Sequence, residues 1–594
     1  MSIVVQKFGG TSVATADKIR AAASRAIATK QAGHQVVMVV SARGHKTDEL
    51  VRLAEEVSDR PAAREMDMLL STGEQESVAL VAMAIHGLGE NAVSMTGGQL
   101  GIVTDSTFSK ARIRSINTER IKQYLDAGNI VVACGFQGID HDSNITTLGR
   151  GGSDTTATAL AAALQAEECQ IFTDVEGVFT TDPRVVTDAR KVEEISYDEM
   201  LELASLGAGV MHSRSIEFAK KFSVPLRVRP SFNENLGTLI SNRTEDRVVT
   251  GLAVAKQEAR VTLADLPDQP GVMATIFTNM ATRKIPIDMV VQNVAVSGKA
   301  EVTFTVPEGD LAETLTAAEA AVKELGTGFV RSGTHVSKVS IVGSGMQTHP
   351  GVAAQMFKSL SDDGINLEMI TTSEIKVSAL VDRSRCQDAL LSIHKGFHLE
   401  KGTIVVPSIG VADIATARAV PKENGDLLQA VVSKLASMED IVVSEVLLDE
   451  SQARVTLNNV PDEPGICTKL FSEVANASVM VDMIVQNISH SGQAQITFTI
   501  PQNQLLQCQT VVETLLKEWS GASVSTEPRI AKLSVAGIGL RTHTGVGERL
   551  FRALSEAGVN IQMMNTSELR MSVVVAQGQG STAYIALKKA FSLE

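Results

Sequence analysis

Apolar and polar positions follow two different rhythms along the chain. Up to about residue 245, short apolar runs alternate with longer stretches of helical spacing. Ile3–Gln6, Val36–Ser41, Ala92–Met95, Ile130–Cys134 and Gln170–Thr173 read as strands. Between them, Ala16–Thr29, Glu74–His86 and Asp154–Ala166 read as helices. This alternation predicts an α/β fold, with a mainly parallel sheet covered by helices on both faces. Polar, glycine-rich strings follow the strand ends, which is where open α/β sheets take ligands.

The second half repeats itself. IDMVVQNVAVSGKAEVTFTVP at Ile287–Pro307 returns as VDMIVQNISHSGQAQITFTIP at Val481–Pro501, an offset of 194 residues. The same offset aligns PDQPG (Pro267–Gly271) with PDEPG (Pro461–Gly465), and THPGV (Thr348–Val352) with THTGV (Thr542–Val546). A weaker repeat of 80 residues sets Gly271 on Gly351 and Met289 on Met369. Residues 1–245 are therefore followed by four small modules in two tandem pairs: 250–332, 336–400, 443–526 and 529–594. Residues 401–442 are expected to hold a linker. In the first module Ala259–Ala264 reads as a strand and Asp265–Gly271 as a turn. Val272, Met273, Ile276, Phe277 and Met280 mark a helix stripe, and Ile287–Asn293 and Glu301–Val306 the next strands.

This pattern, with its Asp-x-Pro-Gly turn, resembles the ACT domain, a ferredoxin-like βαββαβ module that senses amino acids in metabolic enzymes. A helix opened by Pro-Gly leaves N–H groups for a carboxylate. Asp268 and Asp288 offer charge for an ammonium, and Gln292 and Asn293 offer amides. Pro270, Gly271, Val272, Met273, Ala274 and Ile287 complete the expected effector site of the first module, with Asn366, Leu367, Thr372 and Ser373 in the second. Their counterparts in the second pair are Asp462, Pro464, Gly465, Ile466, Cys467, Asp482, Gln486 and Asn487, then Asn560, Ile561, Thr566 and Ser567. The pairs differ locally: Pro350 becomes Thr544, and Ala295-Val296 becomes Ser489-His490. The bland alternative is a structural module without a ligand.

The 594 residues carry a formal net charge of −14 and no dense Lys/Arg tract, which argues against a nucleic-acid partner. No apolar run reaches membrane-spanning length, so no membrane partner is expected. The first residues read as a strand rather than a signal or transit segment. Cys134, Cys169, Cys386, Cys467 and Cys508 are scattered, odd in number and without a CxxC, so a reducing cytoplasm is expected.

Chemistry concentrates in five strings of the first half: KFGGTS (Lys7–Ser12), VVSARG (Val39–Gly44), LLSTGE (Leu69–Glu74), TTLGRGGSDTTA (Thr146–Ala157) and FTDVEGVFTTDPR (Phe172–Arg184). There is no GxxxxGK[ST], which excludes a P-loop enzyme, and no GxGxxG after a strand, which leaves a dinucleotide fold unsupported. At Lys7 two readings compete. The lysine snorkels from a plain glycine turn, or it joins backbone N–H groups in cradling a phosphate. Together the strings resemble the aspartate kinase branch of the amino acid kinase superfamily, and with the ACT modules the likeness covers nearly the whole chain.

The resemblance implies ATP-dependent phosphorylation of the L-aspartate side-chain carboxylate to 4-phospho-L-aspartate, the first step towards lysine, threonine, methionine and isoleucine. It also implies Mg²⁺ with ATP, feedback by lysine and threonine, and a homodimer through ACT modules. A carboxylate nucleophile is already ionised at neutral pH, so positioning and charge neutralisation are what the site must supply. Lys7 gives a point charge, while Phe8, Gly9 and Gly10 bring backbone close to phosphate. Gly151, Gly152 and Ser153 form a second glycine turn opening a helix at Asp154. Arg150 is the natural clamp for the α-carboxylate, and Glu74, opening a helix, for the ammonium. Ser41 and Thr47 are implied near aspartate, and Asp154 orients Lys7 or helps hold metal. Thr173, Asp174, Phe179, Thr180, Thr181, Asp182, Pro183 and Arg184 are implied at the nucleotide. His45, His141 and His212 read as satisfied surface or loop residues. One departure stands out: many aspartate kinases carry a lysine where GAGVMHSRS here has Gly209, so that clamp would use backbone or Arg214. A kinase for another amino acid and a non-catalytic sensing subunit are the alternatives.

Overall fold

The computed structural model describes residues 1–207, 209–294, 299–349, 351–401, 437–440, 442–488, 493–540 and 545–593. At the centre of the first half, Glu168–Thr173, Ile3–Phe8, Gln35–Val40 and Ile130–Cys134 lie side by side and parallel. They read as continuous apolar runs because both faces are covered. Val37, Val39, Val131 and Ala133 face one core with Leu160 and Ala161 of the helix Gly152–Leu164. Val36, Met38, Ile130 and Val132 face the other, against Ala23 of the helix Ala16–Gln31 and Val81 of the helix Ala63–Gly87. Ala92–Met95 closes one edge, and Leu226–Pro230, Thr238–Ser241 and Glu194–Ser196 extend the other, making eight strands. A second sheet has the order Ile113–Ile116, Ile102–Thr104, Gln137–Ile139, Ile145–Thr147. Its strands of three or four residues are too short to show a period in sequence.

One boundary differs from expectation. Glu74 does not open a helix; it lies inside the helix Ala63–Gly87. Gly73, just before the expected helix start, lies within the helix and permits contact: a Cβ there would sit 2.9 Å from Ala42 Cβ.

In the second half, one twelve-stranded sheet runs through all the modules. The strand Gly251–Pro267 is shared. Its residues 258–267 pair with Lys299–Pro307 in the first module, while Gly251–Ala255 pair with Lys338–Val342 in the second. The second module thus takes its last strand from before the first, so 250–332 and 336–400 are interleaved rather than consecutive. Val442–Pro461 does the same for the third and fourth. The modules then join across the repeat. Met369–Thr372 of the second pairs antiparallel with Ile484–Ile488 of the third. Residues 402–436 and 441 of the expected linker, and the differing positions 295, 296, 350, 489, 490 and 544, lie outside the described residues.

Candidate active site

The site forms where the central parallel strands end. Lys7 is the next-to-last residue of its strand, and its Nζ stands 2.5 Å from Asp154 Oδ1 in the first turn of the helix Gly152–Leu164. The chain then turns: Gly9 N–H donates to Phe172 O at 3.4 Å, and Gly44 N–H to Gly10 O at 2.9 Å. The two glycines differ. A Cβ on Gly10 would lie 2.5 Å from Ala42 O, so close backbone approach requires glycine there. A Cβ on Gly9 would meet nothing nearer than Lys7 Nζ at 3.6 Å, so its open space faces the ammonium. Gly151 has φ +70°, and a Cβ on it would meet the His212 side chain at 2.4 Å.

Glu74 is buried. Its Oε1 accepts the Ala42 N–H at 3.1 Å, and its Oε2 has no hydrogen-bond partner among the described residues. Burial disfavours the charged form and pushes this carboxyl up to about 7, against the Ala42 hydrogen bond. Ser41 N–H donates to Phe8 O at 3.1 Å, joining the second glycine string to the first. Arg150 is exposed on its loop, and Thr47 is half-buried in the first turn of the helix Lys46–Val57. A lysine held by Asp154, two glycine turns and a buried carboxylate with one oxygen engaged by Ala42 therefore lie on the segments that follow the central strand ends or pack against them.

The modules meet in two seams. In one, Asn366 Nδ2 donates to Asp462 Oδ1 at 3.0 Å and Gln486 Nε2 to Leu367 O at 3.2 Å. In the other, Asn560 Nδ2 donates to Asp268 Oδ1 at 2.9 Å and Gln292 Nε2 to Ile561 O at 2.8 Å. The first seam holds a cavity whose lining includes the expected effector residues Asn366, Leu367, Asp462, Gly465, Cys467 and Gln486 together with apolar Phe357, Ile365, Ala494 and Ile496, which were not expected. The second holds one lined by Ile287, Asp288, Thr566 and Ser567 with Phe277 and Gly547.

The amino acid kinase family model matches residues 2–230, and an ACT domain model matches 339–397 and 533–591. The aspartokinase of Geobacillus stearothermophilus is 50% identical over 411 residues, 69% of this chain and 100% of that protein. The chain belongs to the aspartokinases. Among solved structures, the aspartate kinase from Synechocystis covers 100% of this chain and 98% of its own, at 36% identity and a TM-score of 0.52. E. coli aspartokinase III in complex with aspartate and ADP covers 67% of this chain and 100% of its own, at 27% identity and a TM-score of 0.57. The same enzyme in complex with lysine and aspartate has a TM-score of 0.51 at 26% identity, covering 66% of this chain and 99% of its own.

Against the aspartokinase reading, several expected residues sit differently. Arg214 does not stand in for the missing lysine at Gly209. Its guanidinium is taken by Glu439, Leu148 O and Ala111 O. Gly209 itself is exposed, with only Gly207 O at 4.0 Å from an added Cβ. Thr180 is fully buried; its hydroxyl accepts the Arg190 N–H at 3.0 Å and lies 3.4 Å from His394 Nε2 of the second module. Thr181 is buried, Phe179 half-buried, and Pro183 exposed. Asp182 and Arg184 hold each other, Nη2 to Oδ2 at 2.8 Å, on an exposed turn. Thr173 Oγ1 donates to exposed Asp174 at 3.2 Å.

Asp288 and Asp482 are not open to an effector ammonium. Lys338 Nζ contacts Asp288, and Lys532 Nζ lies 2.5 Å from Asp482. Val272 and Met273 are core residues, and Thr372 Oγ1 accepts the Ile484 N–H at 2.8 Å across the seam. Pro270 is exposed and Ala274 half-buried; the side chains of Asn293 and Asn487 lie outside the described residues. One site residue went unread. Asp67, fully buried, accepts the Thr147 N–H at 2.8 Å, the Thr147 hydroxyl at 2.7 Å and the Ser109 N–H at 2.9 Å, fixing the strand that leads to Arg150. Its signal was an acid inside the apolar run MDMLL.

Proposed function

We propose that the chain transfers the γ-phosphoryl group of ATP to the side-chain carboxylate of L-aspartate, yielding 4-phospho-L-aspartate. The observation that carries this is Lys7 Nζ held at 2.5 Å by Asp154 beside the open space of Gly9. Lys7 and the N–H groups of Gly10, Gly151 and Ser153 would balance phosphate charge, with the strongest effect where charge builds during transfer, while the Gly9 and Gly152 N–H groups donate to Phe172 O and Gly149 O and hold the turns in shape. Arg150 would take the α-carboxylate and the free Glu74 Oε2 the ammonium, with Ser41 and Thr47 lining the substrate. Asp154, whose Oδ1 Lys7 engages, and the exposed Asp174 are the carboxylates that would hold Mg²⁺ arriving with ATP; when bound, the ion would neutralise phosphate charge. Thr173 and the turn from Phe179 to Arg184 are proposed at the nucleotide through backbone.

Lysine and threonine are proposed as feedback effectors at the two module seams, supported by the cavity that gathers the expected residues in one of them. The proposed homodimer must use module faces other than those seams, which are filled within the chain. The test is aspartyl hydroxamate formation from ATP, Mg²⁺ and aspartate, with and without lysine and threonine. Turnover that falls with effector supports both halves of the reading. An inactive protein that still binds effector by calorimetry would make it a sensing subunit and turn attention to Gly209.

A further inference from the structure

Between the two module pairs, Ser437–Asp440 docks on the catalytic half. Ser437 Oγ donates to Ile113 O at 3.1 Å and Met438 N–H to Arg114 O at 2.9 Å, so the segment covers the edge strand Ile113–Ile116. Glu439 is buried at 8% exposure. Its Oε2 accepts Arg214 Nε at 2.7 Å, and its Oε1 accepts Arg214 Nη2 and the Ile113 N–H, each at 2.7 Å. This is a bidentate, charge-assisted pair. Arg214 then donates through Nη1 to Leu148 O and through Nη2 to Ala111 O, both at 2.6 Å. Leu148 is two residues before Arg150. The same helix, Ser213–Phe222, begins at His212, against which Gly151 packs. At its other end Lys221 Nζ donates to Met438 O at 2.7 Å and Asp440 O at 2.9 Å. One short segment therefore grips the helix at both ends, and that helix braces the Arg150 loop from both sides.

We propose that Glu439 is a positioning residue: through Arg214 it fixes the carbonyl that leads into the Arg150 loop, and so couples the second module pair to aspartate binding. The strand Val442–Pro461, shared by the third and fourth modules, begins three residues later. A shift of those modules would be passed to the loop through the contacts of Glu439 with Arg214 and of Arg214 with Leu148 O. Removing the carboxylate leaves the Arg214 guanidinium half-buried without its counter-charge, free to release Leu148 O.

The proposal rests on the phosphoryl-transfer reading above, so the test carries two readouts. In the full chain, Glu439→Gln keeps the side-chain volume and Glu439→Asp keeps the charge. The expected result for Glu439→Gln is an aspartate KM raised about tenfold, the scale of a lost charge-assisted hydrogen bond. Its melting temperature falls by several degrees, because the Arg214 charge is left without its partner, while its ATP KM stays at the wild-type value, and Glu439→Asp recovers part of both losses. An unchanged aspartate KM would overturn the proposal. So would equal changes in the aspartate and ATP KM values, which would mark a merely structural role. The second readout needs no turnover: trypsin cleavage after exposed Arg150, mapped by mass spectrometry, should be several-fold faster in Glu439→Gln. If wild type fails to use aspartate, the phosphoryl-transfer reading falls alone, and equal cleavage rates in the two proteins would overturn the role of Glu439.

Discussion

Lys7 Nζ is held 2.5 Å from Asp154 Oδ1, so its charge has a fixed place before any nucleotide arrives. A preorganised cation aimed at developing charge is worth about 10²- to 10³-fold in kcat by analogy with single oxyanion donors. Lys7→Ala should lower kcat by that factor and leave effector binding unchanged; near wild-type turnover would remove Lys7 from the chemistry. Glu74 makes a pH prediction. The group ionises near 4.5 in the unfolded chain and near 7 in the fold, because burial penalises its charge. Between those values the native state keeps a proton the unfolded chain has lost, so this group's contribution to stability falls as pH rises from about 4.5 to 7. Ammonium binding needs the ionised form. In the free enzyme, kcat/KM for aspartate should therefore rise with pH through an apparent pKa near 7, and Glu74→Gln should be low and flat across that range. A wild-type profile flat from pH 6 to 8 would contradict the assignment.

At the scale of elements, the glycine turn after the first strand separates two roles that look alike in KFGG. Gly10→Ala drives a Cβ to 2.5 Å from the Ala42 carbonyl oxygen, and overpacking of that kind costs about 1–3 kcal/mol. At roughly 2–4 °C per kcal/mol for a domain of this size, the melting temperature should drop by several degrees. Gly9→Ala meets only ordinary van der Waals contacts, Lys7 Nζ at 3.6 Å and Phe172 O at 3.9 Å, and should melt as wild type while raising the ATP KM, since its methyl fills the space before Lys7 Nζ. If both variants melted alike, the distinction would fail. The same contrast explains what the sequence could disclose. The central strands were legible because burial on both faces makes each an unbroken apolar run. The turns were legible because glycine and a lone Lys or Arg have few structural uses at a strand end. The helix holding Glu74 was begun too late, at Glu74 itself, whereas it runs from Ala63 and includes Gly73, whose missing side chain lets Ala42 pack against it. The shared strand Gly251–Pro267 was read as one module's because a local pattern says nothing of which neighbour each half of a long strand will take. Asp288 was read as a ligand group because its partner Lys338 lies 50 residues away on another strand.

Across the whole molecule, the repeat of 194 residues maps one module seam onto the other. Asp268 becomes Asp462, Gln292 becomes Gln486, Asn366 becomes Asn560, and Leu367 becomes Ile561. The hydrogen bonds transform with them, as do the aromatic contacts, with Phe277 and Phe551 centroids 4.3 Å apart and Phe357 and Phe471 centroids 5.6 Å apart. The first module thus grips the fourth and the second grips the third, one interface made twice about a pseudo-two-fold axis. Two identical copies of the first module pair could build both seams reciprocally, which is the isologous arrangement of a closed dimer. A chain ended after Lys401 would bare the edge strand Met369–Thr372 and the Phe277 and Phe357 faces, a combination that favours association. Light scattering on that shortened chain should give twice its mass at micromolar concentration. Asn366→Ala together with Asp268→Ala, which removes a hydrogen bond from each seam, should shift it towards monomer. A shortened chain that stays monomeric with unchanged melting would mean that the catalytic half alone holds the modules in place, and that the seams add nothing to stability.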